Sequence, residues 1–221
     1  MNETKHDSRP WPPRTDEDYR QEAVILVGDK LADLMAKVRL MVFDADGVLT
    51  PGNLIYSVEG EALKEFHSHD GLGLVMGRLV GIKRAVLTGR NSGIVQRRCR
   101  ELRFDSIKLG RFDKVVALKE ILAETGCKAA DTLYMGDDLI DLPAMYEVGC
   151  AVAVPSAPNE IREYCQYVTS CEGGRGAVRE VVDLVLKSAG LYGQALDRLG
   201  RKEDLPTRAE LSSDAEEETL Q

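Results

Sequence analysis

Five short apolar runs punctuate the middle of the chain: RLMVFDAD at 39–46, RAVLTG at 84–89, SIKLG at 106–110, TLYMGD at 132–137 and CAVAV at 150–154. Between them, at about 71–80, 92–103, 113–125 and 138–148, apolar residues recur at helical spacing. Strand–helix alternation of this kind predicts an α/β fold, a Rossmann-like parallel sheet with helices on both faces. Residues 51–67 break the rhythm, and their two β-like halves around Glu59 and Gly60 predict a β-hairpin inserted after the first strand. Upstream, residues 15–37 fit a helix capped by Thr15 or Asp16, with Ala23, Val24, Val27, Leu31, Leu34, Met35 and Val38 close to one face. Residues 1–14, polar and carrying Pro10, Pro12 and Pro13, predict a flexible leader. The expected division is a leader and N-terminal helix over 1–37, one α/β domain over 38–190, and a tail over 191–221.

Composition narrows the classes. A length of 221 residues suits one domain with tails, and 43% hydrophobic residues suffice for a core. The net charge of −8 argues against nucleic-acid binding, which shows as a basic patch. Residues 201–221 alone carry −4, from three basic and seven acidic side chains, so this acidic end predicts a solvated, disordered tail. Five irregularly spaced cysteines without a C-x-x-C, beside three histidines, predict free thiols in a reducing compartment and no zinc site. No apolar signal region opens the sequence, and no apolar stretch approaches the ~20 residues that cross a bilayer. The expectation is a soluble, cytoplasmic protein with no membrane partner.

The polar residues at the strand ends carry the chemistry. Asp44 and Asp46 end the first strand, Thr88 the second, and Asp137 and Asp138 the fourth. In open α/β sheets ligands bind outside the carboxyl ends of strands, so three strands deliver polar groups to one edge. Two carboxylates two residues apart, straight after a buried strand, repel each other unless a cation or a phosphate partner offsets the cost. A calcium loop fits poorly, because Gly47 arrives early and Ile55 stands where the closing Glu belongs. Thr88-Gly89-Arg90 offers a hydroxyl, open amides and a guanidinium, all phosphate donors. Asp137, Asp138 and Asp141, three carboxylates within five residues, suit a hard cation such as magnesium.

The ordered set DADGVLT, TGR, Lys114 and GDDLID resembles the haloacid dehalogenase superfamily of phosphatases over roughly residues 38–190. The resemblance implies that Asp44 is the nucleophile and forms an aspartyl-phosphate, and that Asp46 protonates the leaving oxygen and then deprotonates water. It implies that Thr88 and Lys114 hold phosphoryl oxygens. Mg²⁺ would lie between Asp44, the backbone carbonyl of Asp46 and Asp137, with Asp138 and Asp141 behind it orienting the site. The short spacings from Asp44 to Thr88 and from Thr88 to Lys114 leave no room for a cap domain.

A finer resemblance, on LKEFHSHDGLG at 63–73, RRCREL at 97–102, YMGDDLIDLPAM at 134–145 and CEGGRGAVREVVDLVL at 171–186, is to the 3-deoxy-D-manno-octulosonate 8-phosphate (Kdo 8-phosphate) phosphatases of lipopolysaccharide precursor synthesis. It implies a homotetramer whose hairpins form a central barrel and whose neighbouring subunits complete each site. His67, Ser68, His69, Asp70 and Gly71 would line the sugar pocket, Arg90 and Arg98 would meet the substrate carboxylate or phosphate, and Arg175 would approach from the adjacent chain. His69 stands where an arginine is common and Val75 where a basic residue occurs. These departures keep a nonulosonate 9-phosphate as an alternative substrate, and a catalytically silent scaffold on the same fold is the rival of another class.

Overall fold

Four consecutive buried apolar residues, Leu40–Phe43, form the central strand β1 in the computed structural model, which describes residues 11–201. Burial on both faces explains why this strand reads as an unbroken apolar run and not as an alternation. Around it stand β4 (Lys83–Leu87), β5 (Ser106–Lys108), β6 (Thr132–Gly136), β7 (Cys150–Ala153) and β8 (Tyr167–Val168), all parallel, in the order β5-β4-β1-β6-β7-β8. The hairpin is present as β2 (Ile55–Ser57) paired antiparallel with β3 (Gly60–Leu63). The sheet confirms the α/β class and shows no cap domain among the described residues.

The strand order reverses beside β1. From β1 the chain steps outward through α3 (Ser68–Leu79) and α4 (Gly93–Glu101) to β4 and β5, then crosses back through α5 (Lys114–Thr125) to β6. It continues outward on the other side through α6 (Leu142–Met145) and α7 (Asn159–Tyr164). Right-handed crossovers in opposite directions put the two helix sets on opposite faces. α8 (Ala177–Ser188) returns to pack on α3, burying Val178, Val181, Val182, Val185 and Leu186. The gap between the outgoing paths lies at the carboxyl ends of β1 and β6, where such folds bind ligands.

Three expectations need correction. The single helix over 15–37 is two, α1 (Asp16–Val27) and α2 (Asp29–Met35), interrupted at Gly28 with φ +80°. The predicted cap is correct: Thr15 closes a capping box with Asp18. The tail does not begin at 191, since Tyr192–Gly200 form α9, which packs on α1, α3 and α8 and buries Ala195. The acidic residues after 201 had obscured this amphipathic helix; they, and residues 1–10 of the expected leader, lie outside the described residues. The helix expected over 138–148 shrinks to Leu142–Met145, because Asp138–Asp141 are committed to the site. α7 and β8 had no counterpart in the sequence reading.

Candidate active site

Asp44 leaves β1 with its amide bonded to the Met135 carbonyl of β6 at 3.0 Å, so the ends of the two strands lie side by side. Residues 45–49 then turn sharply around Gly47, at φ +93°. A Cβ at Gly47 would fall 2.0 Å from Asp137 Oδ2, so only glycine lets the first loop pass over the second carboxylate. From the other side, a Cβ at Gly173 would fall 1.7 Å from the Gly47 carbonyl oxygen. The Gly174 amide bonds the Val48 carbonyl at 2.9 Å. The loop after Asp44 is thus clasped by this chain's own Gly173-Gly174 turn.

Lys114, at the start of α5, points its ammonium into the sheet edge and is 2% exposed. It donates to Asp44 Oδ1, to Asp141 Oδ1 and to the Leu87 carbonyl, each at 2.8 Å. Asp141 is fully buried; its Oδ1 also accepts from the Tyr134 hydroxyl at 2.8 Å, and its Oδ2 receives the amides of Asp137 at 3.2 Å and Asp138 at 3.3 Å. It therefore fixes both the lysine and the loop that carries Asp137. Asp138 is exposed and caps its own neighbour, the Leu139 amide, at 2.7 Å.

The electrostatics of this cluster ask for a cation. Carboxylate oxygens of Asp44, Asp137 and Asp141 lie within 4.8 Å of one another. Burial, and then the Asp141 charge, push the Asp44 carboxyl up to about 6 despite Lys114. Burial, followed by Asp44, Asp141 and Asp138, pushes Asp137 up to about 8. Burial works to lower the Lys114 ammonium, and Asp44 with Asp141 more than reverse it, so the lysine is held above its usual value. Asp137 Oδ1 is buried without a hydrogen-bond partner. Clustered oxygens, an orphaned oxygen and one lysine against three carboxylates fit a hard divalent ion.

The remaining predicted residues divide into two groups. Thr88, 2% exposed at the end of β4, accepts the Arg90 amide on its hydroxyl at 3.3 Å. Arg90 lies with Nε 3.5 Å from Asp46 Oδ2 and hydrogen-bonds the Tyr56 hydroxyl of the hairpin. These residues join the catalytic edge. His67, Asp70, Gly71 and Arg98 instead line a small cavity with Phe66 and Leu74, reaching the loop after Asp44 through Leu49. Ser68 and His69 are exposed, and the His67 and His69 rings meet edge to face at 5.1 Å. Asp70, expected in the sugar pocket, is buried and spends its oxygens on the amides of Arg179 at 2.8 Å and Gly176 at 3.4 Å, capping α8. Arg98 pairs with Glu101 at 3.2 Å and lies over the Phe66 ring. Arg175 pairs with Glu65 of the same chain at 2.5 Å.

Sequence reading missed Lys64, Glu61 and Tyr134. Lys64 is fully covered and pairs with Asp46 and with Glu61, the latter at 3.0 Å. Its only signal was an ordinary i,i+3 charge pair in a hairpin, which usually marks a solvated edge.

A family model described as haloacid dehalogenase-like hydrolase matches residues 78–181. Fold and site together define a hydrolase of that class. The chain is 40% identical over 156 residues to 3-deoxy-D-manno-octulosonate 8-phosphate phosphatase KdsC of Haemophilus influenzae, covering 71% of this chain and 87% of that protein. It is 39% identical over 171 residues to the Escherichia coli protein of the same name, covering 76% and 91%. The crystal structure of the Yersinia pestis phosphatase superposes with a TM-score of 0.72 at 38% identity, covering 74% of this chain and 89% of that one. The Moraxella catarrhalis phosphatase, solved in complex with a magnesium ion, a phosphate ion and a KDO molecule, superposes with a TM-score of 0.73 at 36% identity, covering 77% and 98%. The chain belongs to the family of 3-deoxy-D-manno-octulosonate 8-phosphate phosphatases.

Proposed function

We propose that this chain is a magnesium-dependent phosphomonoesterase that hydrolyses Kdo 8-phosphate to Kdo and phosphate through an aspartyl-phosphate on Asp44. The observation that carries the proposal is the buried Asp44–Lys114–Asp141 chain, with Asp137 beside it, at the reversal point of the sheet. Asp44 attacks the phosphorus, the bond from phosphorus to the sugar oxygen breaks, and Asp46 gives that oxygen a proton. Water then attacks the aspartyl-phosphate, Asp46 takes its proton, and Asp44 is restored as phosphate leaves. Lys114 orients Asp44 and, with the Thr88 hydroxyl, offers donors to the phosphoryl oxygens. Asp44, Asp137 and the Asp46 carbonyl would hold Mg²⁺, whose charge, when bound, offsets that of the phosphoryl oxygens. Asp141 and Asp138 keep the loop in place.

The relatives' printed activity and the complex with magnesium, phosphate and KDO support the choice of sugar. Assembly as a homotetramer rests on the hairpin: Leu54, Ile55, Tyr56, Val58 and Leu63 are 46–104% exposed, an apolar surface too large to stand free in water. A cytoplasmic setting agrees with five free cysteines. Among the described residues no helix is long and apolar enough to cross a membrane. The domain reading that fits best keeps residues 38–190 as the phosphatase unit, with α1, α2 and α9 laid against its back.

The test is phosphate release from a panel of sugar phosphates, with magnesium and with chelator. Release strongest for Kdo 8-phosphate and abolished by chelator is expected, and Asp44→Asn should remove turnover while keeping the fold. Equal or better release from a nonulosonate 9-phosphate would move the substrate, and turnover by Asp44→Asn would overturn the covalent route.

A further inference from the structure

The hairpin has an inner side as well as an exposed one. From the end of β3, Lys64 sends its ammonium inward until the side chain is 1% exposed. Burying an ammonium costs several kcal/mol unless anions meet it. Two do: Asp46 takes it on Oδ1, and Glu61 takes it on Oε1 at 3.0 Å, while the Ser92 hydroxyl at the cap of α4 holds the other oxygen of Glu61. Lys64 is therefore anchored independently of Asp46, through Glu61 to the body of the protein.

The consequence is an asymmetry in Asp46. Its Oδ1 is occupied by Lys64 and approached by the Thr50 hydroxyl at 3.4 Å. Its Oδ2 is buried yet has no hydrogen-bond partner, and Arg90 Nε, 3.5 Å away, is misaligned for one. An unpartnered carboxylate oxygen in a covered place is costly unless another group uses it.

We propose that Lys64 is the positioning residue for proton transfer: it pins Asp46 by Oδ1 so that Oδ2 is the oxygen that carries the proton. This rests on the reading of Asp46 as the proton carrier. In the first half-reaction the phosphorus–oxygen bond to the sugar breaks as a bond to Asp44 forms. The proton on Asp46 Oδ2 passes to the sugar oxygen, leaving an alcohol and a carboxylate. In the second, the same oxygen removes a proton from water as water displaces Asp44 from phosphorus. Lys64 touches none of the reacting atoms and keeps its own protons throughout.

A leaving-group comparison isolates this role. An alkyl phosphate such as the sugar ester needs its oxygen protonated, whereas an aryl phosphate such as p-nitrophenyl phosphate leaves without help. Lys64→Met should lower kcat/KM on the sugar phosphate about 10- to 100-fold and change kcat/KM on the aryl phosphate less than about threefold, because kcat/KM reads the steps through ester cleavage, whereas the later hydrolysis of the aspartyl-phosphate is common to both esters. Lys64→Gln, which still offers an N–H to Asp46, should recover most of the loss. Glu61→Gln, which frees Lys64 without opening a cavity, should give the same split at smaller size, and it carries the test should Lys64→Met not fold. Equal losses of kcat/KM on both esters, or no loss on either, would overturn the role of Lys64. Asp46→Asn is the control: if it shows the split and the Lys64 and Glu61 variants do not, the inference about Lys64 alone fails. If Asp46→Asn lowers kcat/KM on both esters alike, the proton-carrier reading fails and takes the inference with it.

Discussion

Replacing Asp137 by Asn should stabilise the metal-free protein while removing its response to magnesium. Asp137 is crowded by Asp44, Asp141 and Asp138, and its carboxyl is pushed from 3.8 to about 8, chiefly by burial. At about 1.4 kcal/mol per pKa unit, ionising it in the folded, metal-free protein costs at most about 6 kcal/mol. Water reaching the half-buried carboxylate reduces that to roughly 3 kcal/mol. Because the folded pKa is raised, the associated stability is whole below pH 3.8 and is lost as pH rises through about 8. At pH 3 the side chain is protonated in the folded and the unfolded wild type and resembles Asn, so the two proteins should unfold alike. At pH 8.5 in EDTA the variant should be more stable by about 3 kcal/mol, read from urea denaturation. Adding magnesium at 100 times its Kd should return about 2.7 kcal/mol to the wild type and nothing to the variant. A variant less stable than wild type at both pH values in EDTA would show that Asp137 is satisfied by the protein alone, and the argument for a cation at this place would be lost.

Other outcomes follow from the same buried charges and exposed hairpin. Magnesium binding near pH 7 should release protons, since Asp137 and in part Asp44 are protonated there, and apparent affinity should rise from pH 5.5 to 8; calorimetry in buffers of different ionisation enthalpy reads the protons released, and binding without proton release, or no binding, would refute the cluster as the metal site. Lys114→Met should leave Asp141 and Asp44 facing each other without a counter-charge, reducing turnover by at least about 100-fold, and near-normal kcat would refute its role. Arg84→Met should destabilise by about 3 kcal/mol, because the buried guanidinium bonds Asp105 and the carbonyls of Leu74 and Arg103; a change below about 1 kcal/mol in urea would contradict this. Ile55→Glu with Val58→Glu should break the assembly in sedimentation while the monomer stays folded.

The sheet was legible because its strands are buried on both faces, which forces short unbroken apolar runs at 40–43, 85–87 and 133–135. The catalytic edge was legible for a related reason: carboxylates directly after such runs have no cheap structural explanation. What stayed hidden depends on contacts between distant segments. Lys64 looks like any hairpin lysine until Asp46, 18 residues away, is folded back onto it. Asp70 sits within a stretch that resembles a sugar pocket, yet its oxygens are claimed by amides 106 and 109 residues downstream. β8 is two residues long and its partner lies on β7, so no local period marks it. α9 was lost for the opposite reason, since the strongly acidic segment after it dominates the composition of the whole C-terminal stretch.

The pairing of the chain's two ends sets an order in time. α1 rests on α8 and α9 through the Tyr19 and Tyr192 rings at 4.7 Å, the Glu22–Lys187 ion pair and the Gly193 amide on Asp16 at 2.7 Å. Those partners lie 165 to 177 residues further along. At 5–20 residues per second, the first helix leaves the ribosome roughly 10–30 s before its seat exists. The sheet from β1 to β7 can assemble in that interval, with α1 waiting outside. α1, made well before its partners, is thus among the last elements to settle, and a chain arrested before residue 177 carries an unseated helix for chaperones to hold.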